Sequence, residues 1–134
     1  MGARGVNLRK KGEENKKMGE TVKVMELFRG SGGAIGKNAS IDSDALDMRS
    51  VNLDGYFSLH MISTGGTITV TVLVCSTKEG TFIAPTTPVT VLDTKAAGSY
   101  FESFSPPVAP FMKLRFTETD VAAVTAMDAW LIYQ

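Results

Sequence analysis

Residues 67–75 constrain the fold more than any other part of the chain. They read TITVTVLVC, so that from residue 67 to residue 72 each threonine is followed by a β-branched apolar residue. Successive side chains of a β-strand point to opposite faces of a sheet, and this period of two therefore predicts a strand with one apolar and one polar face. The apolar face needs a second layer of structure to cover it.

The same alternation recurs at short intervals on both sides of this strand. Apolar residues with this spacing are Phe57, Leu59, Met61, Met112, Leu114 and Phe116. No long helical segments separate the strand signals, so a parallel sheet is not expected. We expect an all-β fold, an antiparallel β-sandwich of about eight strands, for which jelly-roll connections are one arrangement.

Glycines and prolines set the expected strand boundaries. Gly65-Gly66 stands between two strand signals and predicts a two-residue hairpin turn. Residues 81–85 and 88–93 carry prolines at their boundaries, which favours two short or edge strands. Residues 99–105 predict a further strand before a proline-rich connection. Residues 121–133 mix helix-favouring and strand-favouring side chains, and we expect a strand there because strands precede them.

Residues 1–20 differ in composition from the rest of the chain. They contain almost no large apolar side chains and cannot bury enough surface to offset the entropy of ordering, so we expect a flexible N-terminal arm. Residues 21–134 are expected to form one β-sandwich domain, within which residues 30–48 form an irregular loop. A short helical turn is expected near the end of that loop, capped by Asp42 or Ser43.

Charge is divided between the arm and the domain. The arm has six basic residues against three glutamates, a net charge of +3, and the remaining residues have a net charge of −3. The basic residues are Arg4, Arg9, Lys10, Lys11, Lys16 and Lys17. Because the glutamates dilute the positive field, nucleic acid is a disfavoured partner, and we expect these residues to bind the surface of another protein.

Residues 31–38 resemble a phosphate-binding loop but lack two of its residues. Ser31 replaces the first glycine, and Asn38 replaces the hydroxyl residue that binds Mg²⁺. No helix of useful length is expected afterwards to receive a phosphate at its N-terminus. We therefore expect a flexible surface loop here.

The remaining chemically active side chains also lack the neighbours that catalysis or metal binding requires. His60 is the only histidine, and its strand position groups it with Tyr56 and Ser58. No basic residue lies close to Cys75 in sequence to lower the pKa of its thiol. The acidic cluster 42–47 lacks the spacing of a calcium-binding loop. We expect a protein that is not an enzyme, with no catalytic residue, metal or cofactor.

The cysteine count and the lack of long apolar runs indicate where the protein is located in the cell. One cysteine cannot form an intramolecular disulfide, and no run of about 18 apolar residues or signal-like apolar segment is present. We expect a protein that is made and kept inside a cell and has no membrane partner.

Three sequence segments resemble those of a known group of proteins. They are Gly55-Tyr56-Phe57-Ser58-Leu59, residues 104–119 with the sequence FSPPVAPFMKLRFTET, and Ala129-Trp130-Leu131. Together they are similar to small proteins encoded in the structural-gene regions of tailed bacteriophages and prophages. The resemblance covers residues 50–134 and brings no catalytic residues.

This resemblance implies a virion component, assembled in the cytoplasm of a bacterial host. The leading expectation is a capsid decoration or cement protein that binds the major capsid protein through its β-domain and arm, as a homo-oligomer, with a trimer favoured. A tail or head-tail connector subunit is the structural alternative. A carbohydrate-binding module, with Trp130 as its ring, is an alternative of another class.

Overall fold

The computed structural model describes residues 22–51 and 56–134. Within these ranges the chain forms seven strands and two short 3-10 turns, and every strand pair is antiparallel. The strands are β1 (Lys23–Phe28), β2 (Ser40–Asp42), β3 (Leu46–Asp47), β4 (Phe57–Cys75), β5 (Thr90–Phe104), β6 (Phe111–Glu118) and β7 (Ala126–Tyr133). The expected all-β antiparallel class is confirmed.

The 19-residue strand β4 organises the sheet. One of its edges pairs with β5. Its other edge pairs with β7 as far as Thr64 and with β6 from Ile68 onward. One strand therefore belongs to two half-sheets of a single curled sheet, which together enclose the core in a sandwich-like arrangement.

Each half-sheet has its own set of neighbours. The first half-sheet contains β1, β7, residues 57–64 of β4 and residues 98–104 of β5. The second contains β6 with β2 and β3 on its outer side, residues 67–75 of β4 and residues 90–96 of β5.

The predicted hairpin at Gly65-Gly66 was wrong. Both glycines lie inside β4, where the strand passes from the first half-sheet to the second. The register with β5 shifts here, between Ser63 and Thr67. The same glycine pair that suits a two-residue turn also suits a sharp corner in a continuous strand.

The corner requires glycine for two reasons. The φ angles of Gly65 and Gly66 are 77° and 69°, which L side chains rarely adopt. A Cβ atom on Gly65 would lie 2.9 Å from the carbonyl oxygen of Ala123, and one on Gly66 would lie 2.6 Å from Cγ2 of Val124. Residues 122–124 therefore pack directly against the corner.

Strand β5 replaces two predicted strands. Residues 88–93 and 99–105 were expected to form separate strands, but most of both segments belongs to the continuous β5. Thr94, with a φ of 52°, lies within it, near shifts in the β4 register. Residues 81–85 contribute only an isolated bridge between Ile83 and Val74.

Residues 30–48 are more regular than predicted. They include the 3-10 turn Gly30–Gly33, strands β2 and β3, and a bridge between Ile35 and Val124. Ile35 is 1% exposed, so the segment contributes to the core and is not a loose surface loop.

The predicted helical turn forms later than expected. It spans Met48–Ser50, and its cap is Asp47, whose carboxylate accepts a hydrogen bond from the backbone N–H of Arg49. Asp42 and Ser43, the predicted caps, have other roles. Asp42 accepts two hydrogen bonds from Arg115, and the hydroxyl of Ser43 accepts one from the backbone of Leu114.

The core follows the apolar alternation seen in the sequence. Most side chains predicted to share buried faces of β4 and β6 are nearly inaccessible: Phe57, Leu59, Met61, Ile68, Val70, Val72, Met112, Leu114 and Phe116. Val74, predicted to share the apolar face of β4, is only partly buried. The C-terminal segment is a strand, as predicted, and its Met127, Ala129 and Leu131 complete the core.

Candidate functional site

The outer surface of the first half-sheet carries a row of four side chains on four adjacent strands. Glu26 of β1 lies opposite Trp130 of β7, Trp130 lies opposite His60 of β4, and His60 lies opposite Phe101 of β5. We call this outer surface the aromatic face. Sheet register alone builds the row, because directly opposed residues in antiparallel strands point to the same side.

The three rings of the row contact one another in turn. The ring centroids of His60 and Trp130 are 4.9 Å apart with an interplanar angle of 33°, and those of His60 and Phe101 are 5.5 Å apart at 44°. Both pairs are tilted and lie within the centroid distances typical of aromatic pairs in proteins. His60 and Trp130 are partly buried, and Phe101 is the exposed ring of the row.

Exposed apolar side chains concentrate on this face. Eight large apolar side chains are exposed among the described residues, and five of these lie on the aromatic face or at the ends of its strands: Val22, Val24, Tyr56, Ile62 and Phe101. Val24 and Phe101 are each 63% exposed. Such clustering is typical of an interaction surface, whereas single exposed apolar residues carry no such meaning.

Polar groups on the aromatic face are few and mostly paired. The hydroxyls of Ser58 and Ser103 are 2.9 Å apart across strands β4 and β5. Glu26 forms a 3.1 Å ion pair with Arg29, and Asp128 accepts a 2.7 Å hydrogen bond from the backbone N–H of Gly30. The face therefore has no unpaired carboxylate pair with which to perform acid-base chemistry.

The area of the aromatic face limits how strongly one copy of the chain can bind a partner through it. Four strands spaced about 4.8 Å apart, over about six residues of about 3.4 Å each, give an area of roughly 400 Å² once side chains at the rim are included. A standard protein interface buries about 800 Å² per partner. The aromatic face of one copy is about half that size.

The carbohydrate-binding alternative named Trp130 as its ring. Trp130 lies on the outer face of β7, is partly buried, and contacts His60 at a tilt of 33°. This alternative stays a prediction.

Glu118 is the most unusual ionisable residue outside the aromatic face. It is 1% exposed, and its carboxylate accepts hydrogen bonds from the backbone N–H groups of Asn38, Thr67 and Asp120, at 2.8, 3.2 and 2.8 Å. Burial raises the pKa of Glu118, but the three donors outweigh burial and hold the pKa below its ordinary value of 4.5.

These contacts assign Glu118 a structural role. Strand β6 ends at Glu118. The Glu118 carboxylate accepts the hydrogen bond from the backbone N–H of Thr67, which a backbone carbonyl would accept if the ladder between β4 and β6 continued into the glycine corner. Both oxygens are occupied by main-chain donors, so neither is free to exchange a proton with a substrate.

Two open clefts lie elsewhere on the domain. One, of about 510 Å³, is lined by Met25, Asp44, Ala45, Lys78, Glu79 and Lys113. The other, of about 380 Å³, is lined mainly by apolar residues and includes Cys75, Ile83 and Val108. The first has carboxylates and lysines but no hydroxyl or thiol among its lining residues, and the second has hydroxyls and a thiol but no His, Asp, Glu or Lys. Neither therefore pairs a hydroxyl or thiol nucleophile with a base.

The described residues contain neither a metal-binding cluster nor a helix that could span a membrane. No group of three or more His, Cys, Asp or Glu side chains among them could hold a metal ion. No helix within residues 22–51 and 56–134 is long and apolar enough to cross a bilayer.

The residues singled out from the sequence have different outcomes. His60 lies on the outer face of β4 with Ser58, as predicted, and the stack that it forms with Trp130 and Phe101 could not be read from sequence. The six basic residues proposed to bind a partner, Arg4, Arg9, Lys10, Lys11, Lys16 and Lys17, lie outside the described residues, as does the whole arm.

The loop that resembles a phosphate-binding motif has no anion site in this fold. Gly33 is buried, and a Cβ atom placed on it would clash with the backbone of Met127. The helix that follows a true phosphate loop is replaced by strand β2. This segment is part of the domain's packing.

No family model matches the chain, and no curated protein matches it significantly.

Proposed function

We propose that this chain is a non-enzymatic structural protein that binds another protein through its aromatic face. The observation that carries this proposal is the concentration of five of the eight exposed large apolar side chains on or beside one half-sheet. Water-exposed apolar surface of this kind is covered favourably by a partner, at roughly 25 cal/mol per Å².

The more specific form of the proposal is a capsid decoration protein of a tailed bacteriophage, located in the virion and bound to the major capsid protein. It is supported by the sequence resemblance over residues 50–134 and by the size of the aromatic face. A face of roughly 400 Å² makes a weak contact alone, but a homo-oligomer on a repeating shell multiplies that contact through effective concentration. The basic residues of segment 1–20 supply a second contact in this proposal.

The test compares the occupancy of Val24→Glu and Ile83→Glu variants on phage heads. The heads are assembled from the major capsid protein of the phage or prophage that, in this proposal, encodes the chain. Val24 and Ile83 have nearly equal exposure, 63% and 61%, but only Val24 lies on the aromatic face. We expect Val24→Glu to lose head binding in co-sedimentation while Ile83→Glu keeps it. Equal binding by both variants would reject the aromatic face as the contact.

A tail or connector position is the other structural form of the proposal. The two forms differ in copy number, because a shell protein is present in dozens to hundreds of copies and a connector ring in about six or twelve. Counting copies per particle by quantitative mass spectrometry separates them.

A further inference from the structure

One edge of β5 has no strand partner among the described residues. β5 pairs only with β4, so the other side of its residues 98–104 presents unpaired main-chain N–H and C=O groups. Ser99, Phe101, Glu102 and Ser103 in this stretch are exposed. An unpaired edge of this kind is a template for a further strand.

We propose that a second copy of this chain pairs with this edge, antiparallel, about a two-fold axis through Phe101. A two-fold axis perpendicular to the sheet preserves its faces, so residues that meet share the same side. In this register Phe101 meets Phe101 of the second copy, Ser99 meets Ser103, and Tyr100 meets Glu102.

Side-chain chemistry selects this register over its neighbours. Moving the axis to Glu102 would place two carboxylates directly opposite each other, which destabilises strand pairing. Moving it to Tyr100 would place the exposed ring of Phe101 against a serine. With the axis at Phe101, two exposed rings stack and the serines repeat the hydroxyl contact that Ser58 and Ser103 already make within one copy.

The pairing would also double the area of the aromatic face that is available to a partner. It would join the row of Glu26, Trp130, His60 and Phe101 end to end with the same row of the second copy, across eight strands. The combined face measures roughly 800 Å², the area that one side of a standard interface requires. This consequence rests on the proposed function, whereas the strand pairing itself does not.

The first test measures disulfide formation in a Cys75→Ser background. Opposed residues of antiparallel strands have Cα atoms about 4.5–5.5 Å apart, within the range of a disulfide. Phe101→Cys is therefore expected to form covalent dimers on mild oxidation. Ser103→Cys is the matched control on the same strand, because its two copies would lie about 14 Å apart. Equal cross-linking at both positions would indicate random collision and overturn the proposed register.

The second test leaves Phe101 in place and uses sedimentation velocity over a concentration series. The pair Ser99→Lys with Ser103→Glu places opposite charges across the contact, and the pair Ser99→Glu with Ser103→Glu places like charges there. We expect the dimer dissociation constant to fall for the first and rise for the second, each by about tenfold. A wild-type protein that stays monomeric up to about 1 mM, or variants that associate equally, would overturn the proposal.

These outcomes are independent of the head-binding test. Val24 lies on β1, at the opposite edge of the half-sheet from β5. A chain that dimerises as proposed but whose Val24→Glu variant still binds heads would refute the proposed function and leave the strand pairing intact.

Discussion

Replacing Gly66 with alanine tests whether the glycine corner is packed as the structure describes. Gly66 has a φ of 69°, and a Cβ atom there would lie 2.6 Å from Cγ2 of Val124 and 3.0 Å from the carbonyl oxygen of Ala122. The 2.6 Å contact forces the Val124 side chain to move. The carbonyl oxygen of Ala122 must also give way slightly, and it is backbone, which cannot rotate away as a flexible side chain can.

The expected loss of stability has three contributions. Left-handed backbone costs an alanine about 1–2 kcal/mol. Overpacking against Val124 and Ala122 costs about 1–3 kcal/mol more. The reduced freedom of the unfolded chain returns about 0.4–1 kcal/mol. Gly66→Ala should therefore lower the free energy of unfolding by about 3 kcal/mol, within a range of about 1–5 kcal/mol, which is a large part of the 5–15 kcal/mol typical of a domain.

Alanine substitutions at two other glycines distinguish the cost of a left-handed backbone from the cost of steric crowding by the new Cβ atom. Gly30 has a φ of 55° but open space around a Cβ atom, and Gly32 has neither a positive φ nor any neighbour within 4 Å. Urea unfolding followed by the fluorescence of Trp130, the only tryptophan, should give a loss of about 1 kcal/mol for Gly30→Ala and a gain of about 0.4–1 kcal/mol for Gly32→Ala. A Gly66→Ala loss no larger than that of Gly30→Ala would refute the close packing of residues 122–124 on the corner.

Two further predictions concern buried polar groups. Because the pKa of Glu118 is lowered in the folded state, its carboxylate stabilises the fold above pH 4.5, and that stabilisation is lost as the pH falls through the folded-state pKa. Urea unfolding over a pH series should show Glu118→Gln to be less stable than wild type at pH 7 and the difference to shrink as the pH falls below 4.5; a constant difference would contradict the assignment. The hydroxyl of Ser63 is buried without a hydrogen-bond partner in the described structure. Ser63→Ala should therefore raise the unfolding free energy by about 1 kcal/mol, and a loss of that size would show that the hydroxyl has a partner.

Local alternation predicted the buried faces well because it reports burial directly. Phe57, Leu59 and Met61 are all 0% exposed, as their spacing required. The hairpin at Gly65-Gly66 was predicted wrongly because a glycine pair permits both a turn and a corner. The choice between them is made by distant segments, namely residues 122–124, which pack on the corner, and β5, which pairs with β4 on both sides of it.

The candidate site was less accessible from sequence than the core. Sequence position places His60 on an outer face, but it does not say which residues of other strands stand beside it. Phe101 and Trp130 are 41 and 70 residues further along the chain, and only the sheet register brings them together. The exposure of Val24 could not be predicted from the sequence either, because alternation along a strand does not show which of its two faces packs against the core.

The proposed contact is tested most directly by a cryo-electron microscopy reconstruction of particles that carry this chain. We predict that Val24 and the row of Trp130, His60 and Phe101 face the major capsid protein, and that the cleft beside Ile83 faces solvent. A map in which the aromatic face points into solvent, or in which the contact is made by the cleft, would contradict it.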